Sequence, residues 1–508
     1  MPPTRSLDFP EMLGQMLYID LFPEADVALL SRYRAGGVMV KRRYVKSTRQ
    51  LVRLIARHQE QAVLPLLVGA AFEWGTGADT TSGTLFPGMM ALAANRKAGA
   101  VRDYARTTAR EARALGVNHV LMPVLDVSRS GNGYSECMRS PGGNADTAVS
   151  VGAEIINVFQ ANKVMATARH FPGNTANGGG NITKADVEPF SRAVKAGVLS
   201  VMVGHIPVAS GNGGGIASLS EEVITRLLRE KLGFNGLILT DNLALPHVNL
   251  EPVEACAAAI RAGADVLQTR HEVFRPDNFT DLLRVVEKDR KLVEKVKAAS
   301  ERICSAKDGL GLFKGERAVS QEDAESIVGA PEHLKIAKRV SLGAITVLRD
   351  NKRLLPLKPR KNEKVLIITP KLPDSPFVTL KDNWGQLYRA FKAVHDTTVP
   401  AYVSFVPTGM EVEKTLRTAA RSDYVVVILT HEAGHQVDGA QAALANAAAD
   451  ANPRTVCAVL GNPFASRALS AKVGTVVLTF SNMPPSQEAC AEVLLGKAKA
   501  AGRLPVEI

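Results

Sequence analysis

Residues 221–241 read EEVITRLLREKLGFNGLILTD. Glu221–Leu232 has helical periodicity, with Ser220 placed to cap the helix ahead of Glu221 and Glu222. Gly236–Asp241 is then a continuous apolar run that stops on a hydroxyl and a carboxylate. A run without polar alternation predicts a strand covered on both faces, and therefore a parallel sheet with helices packed outside it. The same grammar recurs outward in both directions. Gln15–Asp20, 36–40 (GGVMV), 64–69 (LPLLVG), 120–126 (VLMPVLD), 164–170 (VMATARH), 200–205 (SVMVGH) and 264–268 (ADVLQ) supply seven further strands. Helix-like segments such as Arg102–Leu115 separate them. Eight β/α units in about 250 residues predict a (β/α)8 TIM-like barrel. A doubly wound sheet is the competing arrangement, but no glycine-rich dinucleotide fingerprint follows the first strand.

Residues 307–345 are polar and helix-rich, and a second α/β pattern follows. Its strand candidates are Val365–Thr369, Tyr402–Val406, Tyr424–Thr430, Thr455–Leu460 and Thr475–Phe480, which predict a three-layer α/β/α sandwich. The expected organisation is a barrel over 1–306, a helical linker over 307–345 and a sandwich domain over 346–508. No internal repeat or low-complexity segment is present.

Composition excludes a fibrous or disordered chain: of 508 residues, 46% are hydrophobic and 22% charged. Lys and Arg number 62 against 50 Asp and Glu, a net charge of 62 − 50 = +12. The basic residues are spread along helix-like segments (Arg42, Arg43, Arg49, Arg53, Arg57) and a linker (Lys352, Arg353, Lys358, Arg360, Lys361). They lack the interleaved aromatics of a single-strand binder, so solvated faces are expected rather than a nucleic-acid partner. Cys137, Cys256, Cys304, Cys457 and Cys490 show neither disulfide-framework nor zinc-ligand spacing. No apolar window is long enough to cross a membrane, and the N-terminus lacks a signal-peptide core. A cytoplasmic protein without metal or organic cofactor is expected.

In such a barrel, functional side chains gather at the carboxyl ends of the strands. Three consecutive strands end in chemically capable residues: Arg169-His170, His205 and Thr240-Asp241. A carboxylate flanked by imidazoles and a guanidinium has its charged form favoured and is a competent nucleophile.

These residues carry a family resemblance. Arg169-His170-Phe171-Pro172-Gly173, the strand from Val198 to His205, and the segment from Leu219 through Arg229 to Asp241 resemble glycoside hydrolase family 3. Pro123–Val127, Arg139-Ser140, Leu354–Leu357, Gly461–Phe464 and Gly502–Val506 are similar to further landmarks of that family, so the resemblance covers nearly the whole chain. It implies that Asp241 attacks the anomeric carbon and forms a covalent glycosyl-enzyme. It also implies that Arg139, Arg169, His170 and His205 bind the sugar, and that the chain is a retaining β-glycosidase close in layout to two-domain bacterial β-N-acetylhexosaminidases or β-glucosidases.

The chain departs from the pattern at two places. The family's acid/base His–Asp pair after strand 5 falls on Asn174–Asn181, which holds no residue that titrates near neutral pH. The family's D-x-E-G after strand 3, whose aspartate holds sugar hydroxyls, reads Ala71-Phe72-Glu73-Trp74-Gly75, leaving Glu73 as the substrate-binding carboxylate. Asn242 replaces a frequent aspartate. In the glucosidase branch the acid comes from the second domain. The matching loop, 430–439, offers Glu432, His435 and Asp438, with Glu136 a further candidate. The alternative is a non-hydrolytic relative, either a sugar-binding protein or an enzyme performing another transformation of a glycoside.

Overall fold

A computed structural model of the chain describes residues 7–128, 138–173, 181–209, 215–314, 319–372, 385–430 and 439–508. They form two compact units, the first within Met1–Thr84, Ala105–Val127 and Ala148–Ala330, the second within Leu85–Tyr104, Ser128–Thr147 and Pro331–Ile508. The stretches 85–104 and 128–147 therefore interrupt the first unit in sequence while belonging to the second. Met90, Ala91 and Ala94 pack into the second unit's apolar core, which the periodicity of the chain does not announce.

The first unit is the expected parallel barrel. Its strands are β1 (Leu17–Asp20), β2 (Gly37–Met39), β3 (Leu67–Ala70), β4 (His119–Val120), β5 (Met165–Phe171), β6 (Ser200–Val203), β7 (Leu237–Thr240) and β8 (Leu267–Thr269). They are hydrogen-bonded in the order β8-β1-β2-β3-β4-β5-β6-β7, and a bridge between Leu239 and Val266 joins the two ends. Every strand residue is buried, which is why the apolar runs show no alternation.

The interior is packed rather than hollow. Tyr18 of β1 lies across it, and a Cβ at Gly69 would stand 2.1 Å from the Tyr18 hydroxyl. Glycine at that position of β3 is thus a packing requirement. The hydroxyl reaches His119 Nδ1 at 3.0 Å, and His119 Nε2 reaches Thr167 Oγ1 at 2.5 Å. Burial pushes His119 down to about 3, so its ring stays neutral at physiological pH.

The second unit holds a six-stranded sheet: β9 (Thr346–Asp350), β10 (Val365–Pro370), β11 (Thr398–Val403), β12 (Tyr424–Thr430), β13 (Thr455–Leu460) and β14 (Thr475–Leu478). The order is β9-β14-β13-β12-β10-β11, parallel except for β9. Alternate residues of each central strand enter different cores. Leu366, Ile368, Val425 and Val427 pack with the helix Gly439–Ala451 on one side. Ile367, Val426 and Ile428 pack with Pro484–Leu494 on the other. This is the three-layer sandwich.

Several expected boundaries move. The fourth strand ends at Val120, and Leu121–Val127 runs on as extended chain through the cis Met122–Pro123 peptide. The strand expected at Tyr402–Val406 lies four residues earlier. It is an edge strand with alternating burial, so an apolar run does not mark it. Strand β9, not among the expected strands of the sandwich domain, is an antiparallel edge. The helix expected over Glu221–Leu232 spans Glu222–Lys231 with π-type hydrogen bonding, and Val223 N–H reaches Ser220 Oγ at 3.4 Å. Of the dispersed basic residues, Arg49 pairs with Glu325, and Arg53 and Arg57 with Glu24, all on the surface. No helix among the described residues is long and apolar enough to cross a membrane.

One buried carboxylate fixes the placement of β7. Asp265 accepts from Arg229 Nη2 at 2.6 Å, Arg302 Nη1 at 2.7 Å and the Ile238 N–H at 2.8 Å. Arg229 also donates to the carbonyls of Phe234 and Gly236, tying the π-helical segment to the loop that feeds β7. Asp265→Ala strands a mostly buried guanidinium and is expected to lower the unfolding free energy by about 3 kcal/mol. Urea titration of the full chain measures it, and a loss below about 1 kcal/mol would show that the network does not support the barrel.

Candidate active site

Parallel register delivers the site. Beyond β4, Leu125 N–H donates to the Arg169 carbonyl at 2.7 Å, and Arg169 N–H donates to the Pro123 carbonyl at 3.1 Å. The Pro123–Val127 segment thus runs beside the end of β5 and brings Asp126 against His170. The Asp126 carboxylate accepts from the His170 backbone N–H at 3.2 Å and meets His170 Nδ1 at 2.8 Å. Asp126 is fully buried, and this contact orients the ring with Nδ1 towards the carboxylate. The Arg169–His170 peptide is cis, and the ladder between β5 and β6 shifts register there.

Arg169 forms a buried ion pair with Glu73 from the loop after β3. His205, just past β6, has both ring nitrogens on protein partners: Nδ1 lies 2.7 Å from Ser218 Oγ and Nε2 lies 2.9 Å from the Asn242 carbonyl. A carbonyl only accepts, so Nε2 carries the proton, and the ring braces the turn after Asp241.

Asp241 itself is half-buried at the end of β7. Its backbone N–H donates to Val203 of β6 at 2.9 Å, and its Oδ1 accepts from the Asn242 N–H at 2.7 Å. Burial pushes its carboxyl up. Against this act His170, His205, the Asn242 N–H and Arg169, and the net position lies below the ordinary 3.8. The group is therefore an anion at neutral pH, held beside a guanidinium and two imidazole rings: a nucleophile or a receiver of positive charge rather than an acid.

Asp241, Arg169, His170, His205 and Glu73 thus converge in the first unit. Arg139, also expected to bind sugar, is buried in the second unit. Glu432, His435, Asp438 and Glu136 lie outside the described residues, as does the loop 174–180. Asp126 carried no role in the sequence reading. The signal was present, since it ends the run VLMPVLD as Asp241 ends GLILTD. Asp20 at the end of β1 was equally visible; it is buried, 3.2 Å from Arg43 and 3.7 Å from Lys41. Among the described residues no cluster of His, Cys, Asp or Glu could hold a metal ion.

Comparison with known proteins decides the family. The model of the glycosyl hydrolase family 3 N terminal domain matches residues 9–306, and that of the C-terminal domain matches 345–508. The chain belongs to glycoside hydrolase family 3. A family 3 relative, the β-N-acetylglucosaminidase/β-glucosidase of Cellulomonas fimi, is 28% identical over 98% of this chain and 93% of its own. The β-hexosaminidase A of Pseudoalteromonas piscicida is 26% identical over 66% of this chain and 63% of its own. A solved family 3 β-N-acetylglucosaminidase from Paenibacillus sp. str. FPU-7 is 26% identical, covers 99% of both chains and superposes with a TM-score of 0.84. A solved β-glucoside phosphorylase at 21% identity and a TM-score of 0.83 shares the fold.

Two outcomes follow from the ion pairs of this family 3 site. Glu73→Ala removes the carboxylate from a buried pair and is expected to cost about 3 kcal/mol of stability by urea unfolding. An unchanged midpoint would mean the Arg169 guanidinium relaxes freely into solvent. His170→Gln removes the largest influence lowering Asp241, so Asp241 should take up its proton at higher pH. The rate of labelling by an activated 2-fluoro glycoside, followed against pH, should then show an acid limb shifted upward from wild type. A coincident limb would count against the pairing of charge.

Proposed function

We propose that the chain is a retaining β-glycosidase acting on a β-linked hexoside, with Asp241 as its nucleophile. A carboxylate kept ionised at the carboxyl mouth of the barrel, among His170, His205 and Arg169, carries the reading. The relatives named for β-N-acetylglucosaminidase, β-glucosidase and β-hexosaminidase activity support the substrate class.

In the first step Asp241 attacks the anomeric carbon, the glycosidic C–O bond breaks, and the departing oxygen takes a proton. In the second step water attacks the same carbon and gives its proton to the group that protonated the departing oxygen, the ester bond to Asp241 breaks, and the carboxylate is regenerated. Arg169 and His170 are proposed to hold the sugar hydroxyls, and Glu73 to orient Arg169. For the proton donor the candidates are Glu432, His435 and Asp438 of the 430–439 loop. Cytoplasmic residence is supported by free, buried Cys256, Cys457 and Cys490.

Asp241→Ala should abolish turnover and labelling by a 2-fluoro glycoside while leaving stability within about 1 kcal/mol. A variant retaining more than about a tenth of the wild-type rate would refute the nucleophile. If the Asn174–Asn181 loop supplies no proton donor, aryl glycosides of acidic phenols should be cleaved at least about 10²-fold faster than alkyl glycosides, because a phenoxide leaves without protonation; a donor from the 430–439 loop shrinks that gap. The series is run on wild type, Glu432→Gln, His435→Ala and Asp438→Asn. Steepening in one variant identifies the donor, and a flat dependence in all four places it elsewhere.

A further inference from the structure

The loop after β3 carries a carboxylate that the chemistry above does not use. Ala71, its first residue, offers no polar side chain, and Phe72 follows in the left-handed region at φ 48°. The Phe72 N–H donates to Asp79 Oδ2 at 3.0 Å. That oxygen is therefore within about 5 Å of the Ala71 Cα, since the intervening bonds add roughly 2.4 Å. Eight residues on, the chain has returned a carboxylate to the place where the loop begins.

The return is built rather than incidental. Arg42 sets its Nη1 against the carbonyls of Gly77, Ala78 and Thr80, on one side of Asp79 and the other. The fully buried Glu111 accepts from Thr84 N–H at 3.0 Å, from Thr84 Oγ1 at 2.6 Å and from Gly329 N–H at 2.9 Å, and it also binds the Thr76 hydroxyl. Both ends of the 76–84 loop are thus pinned. A half-buried carboxylate on so constrained a loop is pre-organised, and a partner of its second oxygen would meet it without reordering.

Its loop also carries Glu73, the partner of Arg169. Burial raises the Asp79 carboxyl, and besides the Phe72 N–H the groups acting on it are Lys41, Glu73 and Arg169. Lys41 also faces the buried Asp20, whose Oδ1 has no hydrogen-bond partner among the described residues. Trp74 Nε1, in the same loop, is a buried donor likewise without a partner. A carboxyl acceptor and an indole donor in the loop that also carries Glu73 suit a ligand group that both gives and takes a hydrogen bond. A hydroxyl does so; a carboxylate or phosphate does not.

We propose that Asp79 is a specificity-determining residue, its carboxylate accepting a hydrogen bond from a ring or hydroxymethyl hydroxyl of the bound sugar. Trp74 Nε1 donates to the same end of the ligand. The assignment rests on the glycoside reading of the pocket, but not on hydrolysis.

Methyl β-glucoside, methyl N-acetyl-β-glucosaminide and their 3-, 4- and 6-deoxy analogues are titrated calorimetrically into the full chain as wild type, Asp79→Asn and Asp79→Ala. Asparagine keeps an oxygen for the Phe72 N–H, so the loop anchor survives while the charge is lost. Asp79→Asn should weaken the parent glycoside at least about tenfold, as expected for a hydrogen bond to a charged group. One deoxy analogue should bind wild type and variant alike, identifying the hydroxyl. Equal affinity of wild type and Asp79→Asn for every glycoside overturns the assignment. So does an equal loss for all analogues, which would mark a loop-folding role, and so does a wild type that binds none of them. A wild type that binds these glycosides yet takes no 2-fluoro label at Asp241 instead removes the hydrolase reading and leaves this one in place.

Discussion

Asp241 is held as an anion beside the Arg169 guanidinium and the His170 and His205 rings, and each of these three side chains has a counterpart of its own. Glu73 answers Arg169, Asp126 answers His170, and the Asn242 carbonyl with Ser218 answers His205. Isolated charges in such a place would cost several kcal/mol each, whereas an alternation of signs shares the cost along a chain of hydrogen bonds. The mouth of the barrel is best understood as one electrostatic unit of anions and cations. Removing any member is expected to change the stability of its neighbour and the ionisation of Asp241 together.

The barrel supplies this unit through parallel register. Strand ends that are adjacent in the sheet place residues far apart in sequence side by side, as Pro123–Val127 meets Arg169 and as Asp241 meets Val203. The polar residues that terminate apolar runs are the ones that assemble, because there the chain leaves the covered sheet and enters the open mouth.

That rule also explains how much could be read beforehand. The eight barrel strands, Asp241 and His170 follow from apolar runs and their terminal residues, since burial on both faces leaves an unmistakable trace. Asp126 obeys the same rule, at the end of the run VLMPVLD. Strands β9 and β11 escape it: they lie at sheet edges, where one face is enough to satisfy the fold and Pro400 is tolerated. Asp79 leaves no periodic trace at all. Its position depends on Arg42 reaching carbonyls some 35 residues away and on Glu111 gathering a loop from a distant helix, both long-range facts. His205 was legible as a pocket residue, but its bracing of the Asn242 turn required the geometry.

The seam between β7 and β8 has a further consequence. A single bridge joins the strands proper, the Leu243 N–H donates to the Gln268 carbonyl beyond it, and side chains add to the stitching: the Asp265 carboxylate below, and the Thr240 hydroxyl accepting from Gln268 N–H above. The placement of Asp241 at the mouth therefore depends in part on two side chains at the least laddered joint of the ring. A nucleophile is sensitive to displacements far smaller than those that alter binding. On the role proposed for Asp241, substitutions along this joint would adjust the speed of the chemistry while the affinity of the pocket stays the same, giving the barrel a tuning point apart from the loops at its mouth.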